Sequence, residues 1–278
     1  MSSRRQTPRT PPPTAERLSY RTVHRRLVLV YVEASLIAVF GGAVLFGFGL
    51  DMTYRQILIG VGIIAPVSFV LMFALDVLTI GIHARPVLAF LRALPDRPAP
   101  AAVTDALVRA INLPVFAAAR VMLVHAPTAA VSITLLMVLL NRHMALGLGG
   151  GQIATLWALV GLVGVGHATV EYFLVAAAMR PAIPVLWSHA GPLSAEARGR
   201  IIPVGMRPMM LLVSVFLVLV PLLVLGFTLM VKVNTALAGL GVADAAAVTW
   251  PLYRWILVLV AGSMAIVLFM SIRAAREV

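Results

Sequence analysis

Five ionisable side chains lie inside long apolar stretches of this sequence, where they could bind a ligand, pair with one another or carry a proton. They are Glu33, Asp76, His125, His167 and Glu171. A charged group at the centre of a bilayer costs roughly 3 kcal/mol or more unless it is paired, so each marks a candidate functional position. The expected counter-charges are Arg120, near the start of a neighbouring apolar stretch, and Arg207, at the edge of another.

The spacing of these residues places several of them on common helix faces. Gly164, His167 and Glu171 are three and four residues apart and line one stripe, and the glycine predicts the close approach of a neighbouring helix. A similar stripe on the preceding apolar stretch consists of His125, Thr128 and Ser132. We expect both stripes to face the interior of a helix bundle, because lipid offers these groups no partner.

This polar cluster is open to three interpretations. Its members could form buried ion pairs that fix helix packing, or they could line a ligand-sensing or proton-linked pocket. His167 and Glu171, four residues apart, could supply two metal ligands and His125 a third, but this ligand set is incomplete. We therefore predict no metal and no cofactor. No catalytic residue is predicted either, because the sequence has no cysteine, phosphate-binding loop or hydrolase signature.

The elements that must position these residues are membrane-spanning helices. Of 278 residues, 61% are hydrophobic and 12% are charged, a composition that excludes an ordinary water-soluble domain. The apolar runs are long enough to cross about 30 Å of hydrocarbon and predict an all-α integral membrane protein with six spans. The predicted spans are residues 27–50, 57–82, 113–140, 153–179, 209–231 and 251–272.

The distribution of basic residues predicts the orientation of these spans. Eighteen of the 22 Lys and Arg residues lie in the N-terminal tail, in the connections after the second and fourth spans, or after the sixth span. The positive-inside rule places these segments, and so both termini, in the cytoplasm. Residues 1–20 are rich in Pro and Arg and predict a disordered tail preceding a membrane domain of residues 21–278. The basic residues flank apolar runs, which indicates lipid head groups and not nucleic acid as their partners.

Similar segments recur about 90 residues apart. Arg85-Pro86 after the second span matches Arg180-Pro181 after the fourth, and Asp76 and Glu171 each precede the corresponding proline by ten residues. Leu113-Pro114-Val115 likewise matches Ile202-Pro203-Val204. These matches predict three helical-hairpin pseudo-repeats, with Glu33, Asp76 and Glu171 at similar depth in the cytoplasmic half of the bilayer. Pro66, Pro127 and Pro221 are each expected to kink a span.

In layout the chain resembles the six-helix membrane domains that precede HAMP segments in bacterial class III adenylate cyclases and related sensor histidine kinases. The resemblance rests on the basic tail before Leu27, the Arg85-Pro86 and Arg180-Pro181 pairs, and the last span running into residues 271–278. It implies a bacterial inner-membrane sensor that works as a homodimer, or with a partner membrane subunit, and passes its signal through the last helix to an output module after Val278.

Two other functions are open from the sequence. An ion- or proton-coupled transporter or channel subunit would use Glu33, Asp76 and Glu171. A structural subunit of a larger membrane complex would dock through small-residue faces such as Ala38 and Gly42. Because short connections leave little chain outside the bilayer, we expect any stimulus to be a lipid, a small apolar molecule or a partner helix.

Overall fold

A computed structural model describes residues 20–49, 53–93, 99–145, 150–204, 220–242 and 249–250. Helices account for nearly all of these residues, and no strand occurs among them. The predicted tail, apart from Tyr20, and the predicted sixth span lie outside the described residues, as do residues 209–219 of the predicted fifth span.

The described helices follow one another with short breaks. In chain order they are α1 (Tyr20–Gly49), α2 (Tyr54–Ile59), α3 (Ala65–His83), α4 (Arg85–Ala93), α5 (Pro100–Arg120), α6 (Ala126–Met144), α7 (Gly150–Met179), α8 (Ala182–Ala190), α9 (Ala195–Gly199) and α10 (Val220–Gly239). Two π-helical segments, Gly60–Ile64 and Val121–His125, join α2 to α3 and α5 to α6. The chain therefore forms two long composite helices, α2–α3 and α5–α6, beside α1 and α7.

Within the described part of the chain, four helices are long and apolar enough to cross a membrane by length and composition: Tyr20–Ala43, Tyr54–His83, Pro100–Met144 and Leu156–Met179. They correspond to the first four predicted spans and indicate a multi-pass membrane protein. α10 overlaps the end of the predicted fifth span and continues past it to Gly239.

The segment between the second and third spans is helical, where the sequence predicts only a connection. α4 and the first part of α5 occupy it, and α5 runs without a break into the third span, giving a helix of 45 residues from Pro100 to Met144. Apolar residues at helical spacing, Val103, Ala106, Leu107 and Ala110, bury one side of this extension. The helix that contains the predicted third span therefore begins at Pro100, thirteen residues before the predicted start of the span at residue 113.

The larger of two apolar cores among the described residues surrounds this extension. α5 packs against α4, α7 and α8, and α1 contacts α3, α4 and α7. Fully buried side chains at the centre of the core include Leu27 on α1, Val87 on α4, Leu107 and Leu113 on α5, and Leu186 on α8. A second, smaller core lies between α6 and α7 and contains Ala130, Ile133, Met137, Leu156 and Val160. The two cores lie on either side of the polar cluster described below.

Pro66 and Pro127 each follow a π-helical segment. A proline lacks the backbone N–H and its ring crowds the carbonyl of the residue four positions earlier, so the preceding turn widens. The Ala65 N–H donates to the Gly60 carbonyl, and the Ala126 N–H donates to the Val121 carbonyl, both across five residues. The expected disturbance thus takes the form of a wide turn. Pro221 is the second residue of α10, and residues 205–219 before it lie outside the described residues, so the kink expected there stays a prediction.

The predicted pseudo-repeat is matched at one pair of motifs and not at the other. A nine-residue helix starts at the first Arg-Pro pair, Arg85–Ala93 after α3, and another starts directly after the second pair, Ala182–Ala190 after α7. Pro114, in contrast, lies inside α5, whereas Ile202-Pro203-Val204 is not helical, so these segments have different structures. Instead of equivalent positions they are neighbours: the Asn112 side chain donates to the Arg200 carbonyl at 2.8 Å and accepts from the Ile202 N–H at 2.9 Å.

Candidate functional site

Arg120, the last residue of α5, lies at the centre of a buried polar cluster. Its guanidinium forms ion pairs with two carboxylates, Asp76 on α3 (Nη2–Oδ1, 2.9 Å) and Glu171 on α7. It also lies 4.5 Å from the centre of the Tyr31 ring, a cation–π contact with α1. The Arg120 side chain is 2% exposed, so these groups replace water as its partners.

Side chains of α1 and α3 support the ion pair between Arg120 and Asp76. The Ser35 hydroxyl of α1 donates to Asp76 Oδ2 at 2.6 Å, and both residues are fully buried. Thr79, one turn after Asp76, accepts from Arg120 Nη1 at 2.6 Å and donates to the Leu75 carbonyl at 2.7 Å. These contacts fix the carboxylate and the guanidinium at the same level of the bundle.

The two buried histidines lie on one side of this ion cluster. His125 Nε2 is 3.4 Å from Asp76 Oδ1, and His167 Nε2 is 3.3 Å from Glu171 Oε2. The two imidazole centroids are 6.0 Å apart. His125 belongs to the π segment between α5 and α6, and His167 lies one turn before Glu171 on α7. Two imidazoles, two carboxylates and one guanidinium are thus brought together from three helices.

Close packing of α6 on α7 makes the histidine pair possible. A Cβ atom built on Gly164 would lie 2.9 Å from the Ala126 Cβ, closer than side-chain atoms approach one another. The small residues Gly164 and Ala126 allow α6 and α7 to approach closely at this point. The close approach at Gly164 was predicted from the sequence. His125 and His167, next to this contact, are thereby held side by side.

An apolar cavity of about 120 Å³ borders the histidines. Its walls come from α1, from the composite helices α2–α3 and α5–α6, and from α7, and both π segments contribute residues. Apolar wall residues include Ala38, Val61, Ile64, Ala129, Leu156 and Val163. The polar side chains among the described lining residues are Ser68, His125 and His167, so the cavity is mainly apolar and is bordered by two imidazoles.

Two of the predicted site residues are not part of the cluster described here. Glu33 is exposed on α1, where Tyr31 and Ser35 are fully buried. It lies two residues, or about 200° around the helix, from each of them, so it faces away from Arg120. The prediction that Glu33 joins the other carboxylates is wrong for this reason. Arg207 lies outside the described residues, and its role as a counter-charge stays a prediction.

Three residues of the cluster escaped the sequence analysis: Tyr31, Ser35 and Thr79. Their side chains are uncharged, and such residues are common on spanning helices as packing contacts. A usable signal was present in the spacing, since Tyr31 and Ser35 are four residues apart and Thr79 follows Asp76 by three. The members of the predicted α6 stripe also differ, since His125 is buried but Thr128 and Ser132 are only half-buried.

Comparison with known proteins does not assign this arrangement. No protein-family model, no curated protein and no solved structure matches the chain.

Proposed function

We propose that this chain is the membrane domain of a bacterial inner-membrane sensor, in which a small apolar molecule or a lipid chain binds between the helices and alters the last helix. The observation that carries the proposal is the apolar cavity bordering His125 and His167. Dry apolar cavities of about 150 Å³ bind molecules the size of benzene or xenon. A cavity of about 120 Å³ suits a ligand group of similar size.

The position of the cavity connects it to helices that can respond. Each of the four helical walls can shift only if its neighbours shift, and both composite helices are interrupted by π segments at the cavity. π segments recur at functional sites because they depart from regular helical hydrogen bonding. α10 packs against α1 and α7, which both line the cavity. A ligand that favours one arrangement of these helices would therefore bias α10 and the span predicted to follow it.

A chimeric protein tests this sensor function. Residues 1–278 are joined at Val278 to a HAMP-linked cyclase output domain, and cyclic AMP formation is measured in membranes. Ala129→Leu adds bulk to the cavity wall, and Val131→Leu, two residues away on α6 where Val131 is 49% exposed, is the matched control. We expect Ala129→Leu to change the output rate several-fold and Val131→Leu to leave it unchanged.

The same chimera can contradict the proposal. Equal output from wild type, Ala129→Leu and Val131→Leu, in protein that elutes as a single folded species, would remove the cavity from any signalling role.

A proton- or ion-coupled transporter is the second candidate, favoured by the charges around Arg120. One guanidinium faces two buried carboxylates, Asp76 and Glu171, so neutrality requires a further proton or cation. A transporter predicts ion or proton flux in liposomes that falls at least tenfold in Asp76→Asn and Glu171→Gln. Asp105→Asn, an exposed carboxylate on α5, is the control that should keep full flux. Flux that is absent from wild type, or equal in all variants, contradicts transport through this cluster.

A further inference from the structure

We propose that His125, His167 and Glu171 form a binding site for one divalent transition-metal ion, with zinc as its simplest occupant. One ligand atom from each of these buried residues lies within 4.8 Å of the other two. Two imidazoles and one carboxylate are a ligand set used by zinc and by other first-row divalent metals. The proposal does not depend on the sensor function, because metal uptake is measured without any cavity ligand.

The separation of the ligand atoms fits a tetrahedral metal. Bonds of about 2.0–2.1 Å at tetrahedral angles place two ligand atoms about 3.3 Å apart. His167 Nε2 and Glu171 Oε2 are 3.3 Å apart on one face of α7. His125 completes the set from the facing π segment. The ligand atoms lie within 4.8 Å of one another, so its ring must move by up to about 1.5 Å to reach the tetrahedral separation.

The hydrogen-bonding inventory points to the same atoms. Among the described residues, Glu171 Oε2, His167 Nε2 and both ring nitrogens of His125 are buried without a hydrogen-bond partner. The three residues are 0%, 7% and 1% exposed. Buried polar atoms are nearly always hydrogen-bonded or ligated, because an unsatisfied one costs about 1–3 kcal/mol. A metal ion would satisfy one atom on each of the three residues at once.

Arg120 is compatible with a cation at this position. It binds Glu171 through Oε1, which leaves Oε2 for the metal, and its second ion pair is with Asp76. With Asp76 neutralising Arg120, the metal and Glu171 carry a net charge of +1, as in other sites with two histidines and one glutamate. Groups that hydrogen-bond to a metal ligand, without touching the metal, orient that ligand. Arg120 would orient Glu171 in this way. His125 and His167 also line the cavity, so an open coordination position would face it.

Metal titration of the full chain in lipid nanodiscs tests this site. The protein is stripped with a chelator and titrated with Zn²⁺ or Co²⁺, and bound metal is counted by elemental mass spectrometry. We expect one ion per chain. His125→Ala and His167→Ala should each weaken binding at least about 100-fold, since loss of a direct ligand exceeds the loss of a group behind it. His143→Ala, which removes an exposed histidine of α6, is the matched control and should bind normally.

X-ray absorption of the wild-type protein loaded with Zn²⁺ gives a readout that needs no variant to fold. The expected first shell contains two imidazoles and oxygen at about 2.0–2.1 Å. A folded wild-type protein that takes up no metal, a first shell without imidazole, or uptake that survives both histidine variants would each overturn the proposal.

Discussion

The two sides of the Arg120 cluster are built differently. On one side, α4, α5, α7 and α8 pack around side chains such as Leu107 and Leu186 that are completely buried. On the other side, α6 and α7 share a smaller core and leave an apolar cavity beside it. Both sides bury apolar side chains, so the presence of an apolar core alone does not explain the difference.

Amphipathic character explains the contrast. α4 and the first part of α5 carry apolar residues on one face and basic or small residues on the other, so burial of one face gives a dense core. α3 and α6 carry few polar residues and expose large apolar side chains such as Val70 and Leu135, as helices in contact with lipid do. The densely packed side therefore holds the cluster in place, while the cavity side has room to respond to a ligand.

Removal of the charge between the two sides should have the largest effect on stability. Arg120→Met keeps the bulk of the side chain but leaves Asp76 and Glu171 buried without their cation. We expect a loss of about 3–5 kcal/mol in the free energy of unfolding, measured by denaturant titration in mixed micelles. The matched variant is Arg109→Met, whose guanidinium also lies over a ring, that of Phe116, but is only half-buried. Equal losses in the two variants would mean that burial of Arg120 has no special energetic role.

Matched leucine truncations compare the two sides directly. Leu107→Ala in the dense core should cost about 2–5 kcal/mol of unfolding free energy. Leu156→Ala should cost less, although Leu156 is only 1% exposed, because its side chain borders the cavity and has fewer neighbours to lose. The same titration measures both. A larger loss for Leu156→Ala would reverse the assignment of the rigid and the adaptable side.

Helix α7 provides a test of the contact that holds the histidines together. Gly164→Ala places a Cβ 2.9 Å from that of Ala126 and should destabilise the protein by about 1–3 kcal/mol. The matched variant on the same helix is Gly161→Ala, whose added Cβ has no atom within 4 Å. It should be neutral or stabilise by up to about 1 kcal/mol, because alanine favours helix. A stable Gly164→Ala protein would show that α6 and α7 can separate, and the metal affinity of that variant then reports the position of His125.

The smallest effect is expected at the exposed edge of the dense side. Arg200 and Asp105 form an ion pair of 2.7 Å in which both side chains are about half exposed. Asp105→Asn should change the unfolding free energy by less than about 1 kcal/mol. Asn112→Ala, which removes both hydrogen bonds to residues 200–202, should cost about 1–3 kcal/mol. The reverse order would make the ion pair the main attachment of that segment to α5.

The sequence predicted the apolar helices and some of the charges but not the packing around them. Apolar runs specify spanning helices directly, and a buried arginine needs a buried acid, so Arg120, Asp76 and Glu171 could be grouped in advance. Glu33 was grouped with them by depth alone. Depth along a helix says nothing about rotation around it, and rotation separates Glu33 from Ser35.

The dense core was missed for a different reason. Residues 83–112 carry four arginines and four prolines, features that indicate a connection between spans. Within them, residues such as Val103 and Leu107 recur at helical spacing, but over too short a distance to outweigh those features. Tertiary packing against α7 and α8 then makes these segments helical.

The π segment between α5 and α6 changes the direction in which side chains of this long helix point before and after it. Buried residues recur every four positions along it, at Leu113, Ala117, Val121 and His125 and again at Ile133 and Met137. In an uninterrupted α-helix each step of four drifts by about 40°, so this face would gradually turn away from the bundle. A π turn holds about one additional residue and returns the face by about 100°. The π segment before Pro127 thus brings Ala117 and Ile133, which lie on either side of it, to within about 60° of each other around one helix, where an uninterrupted α-helix would separate them by about 160°.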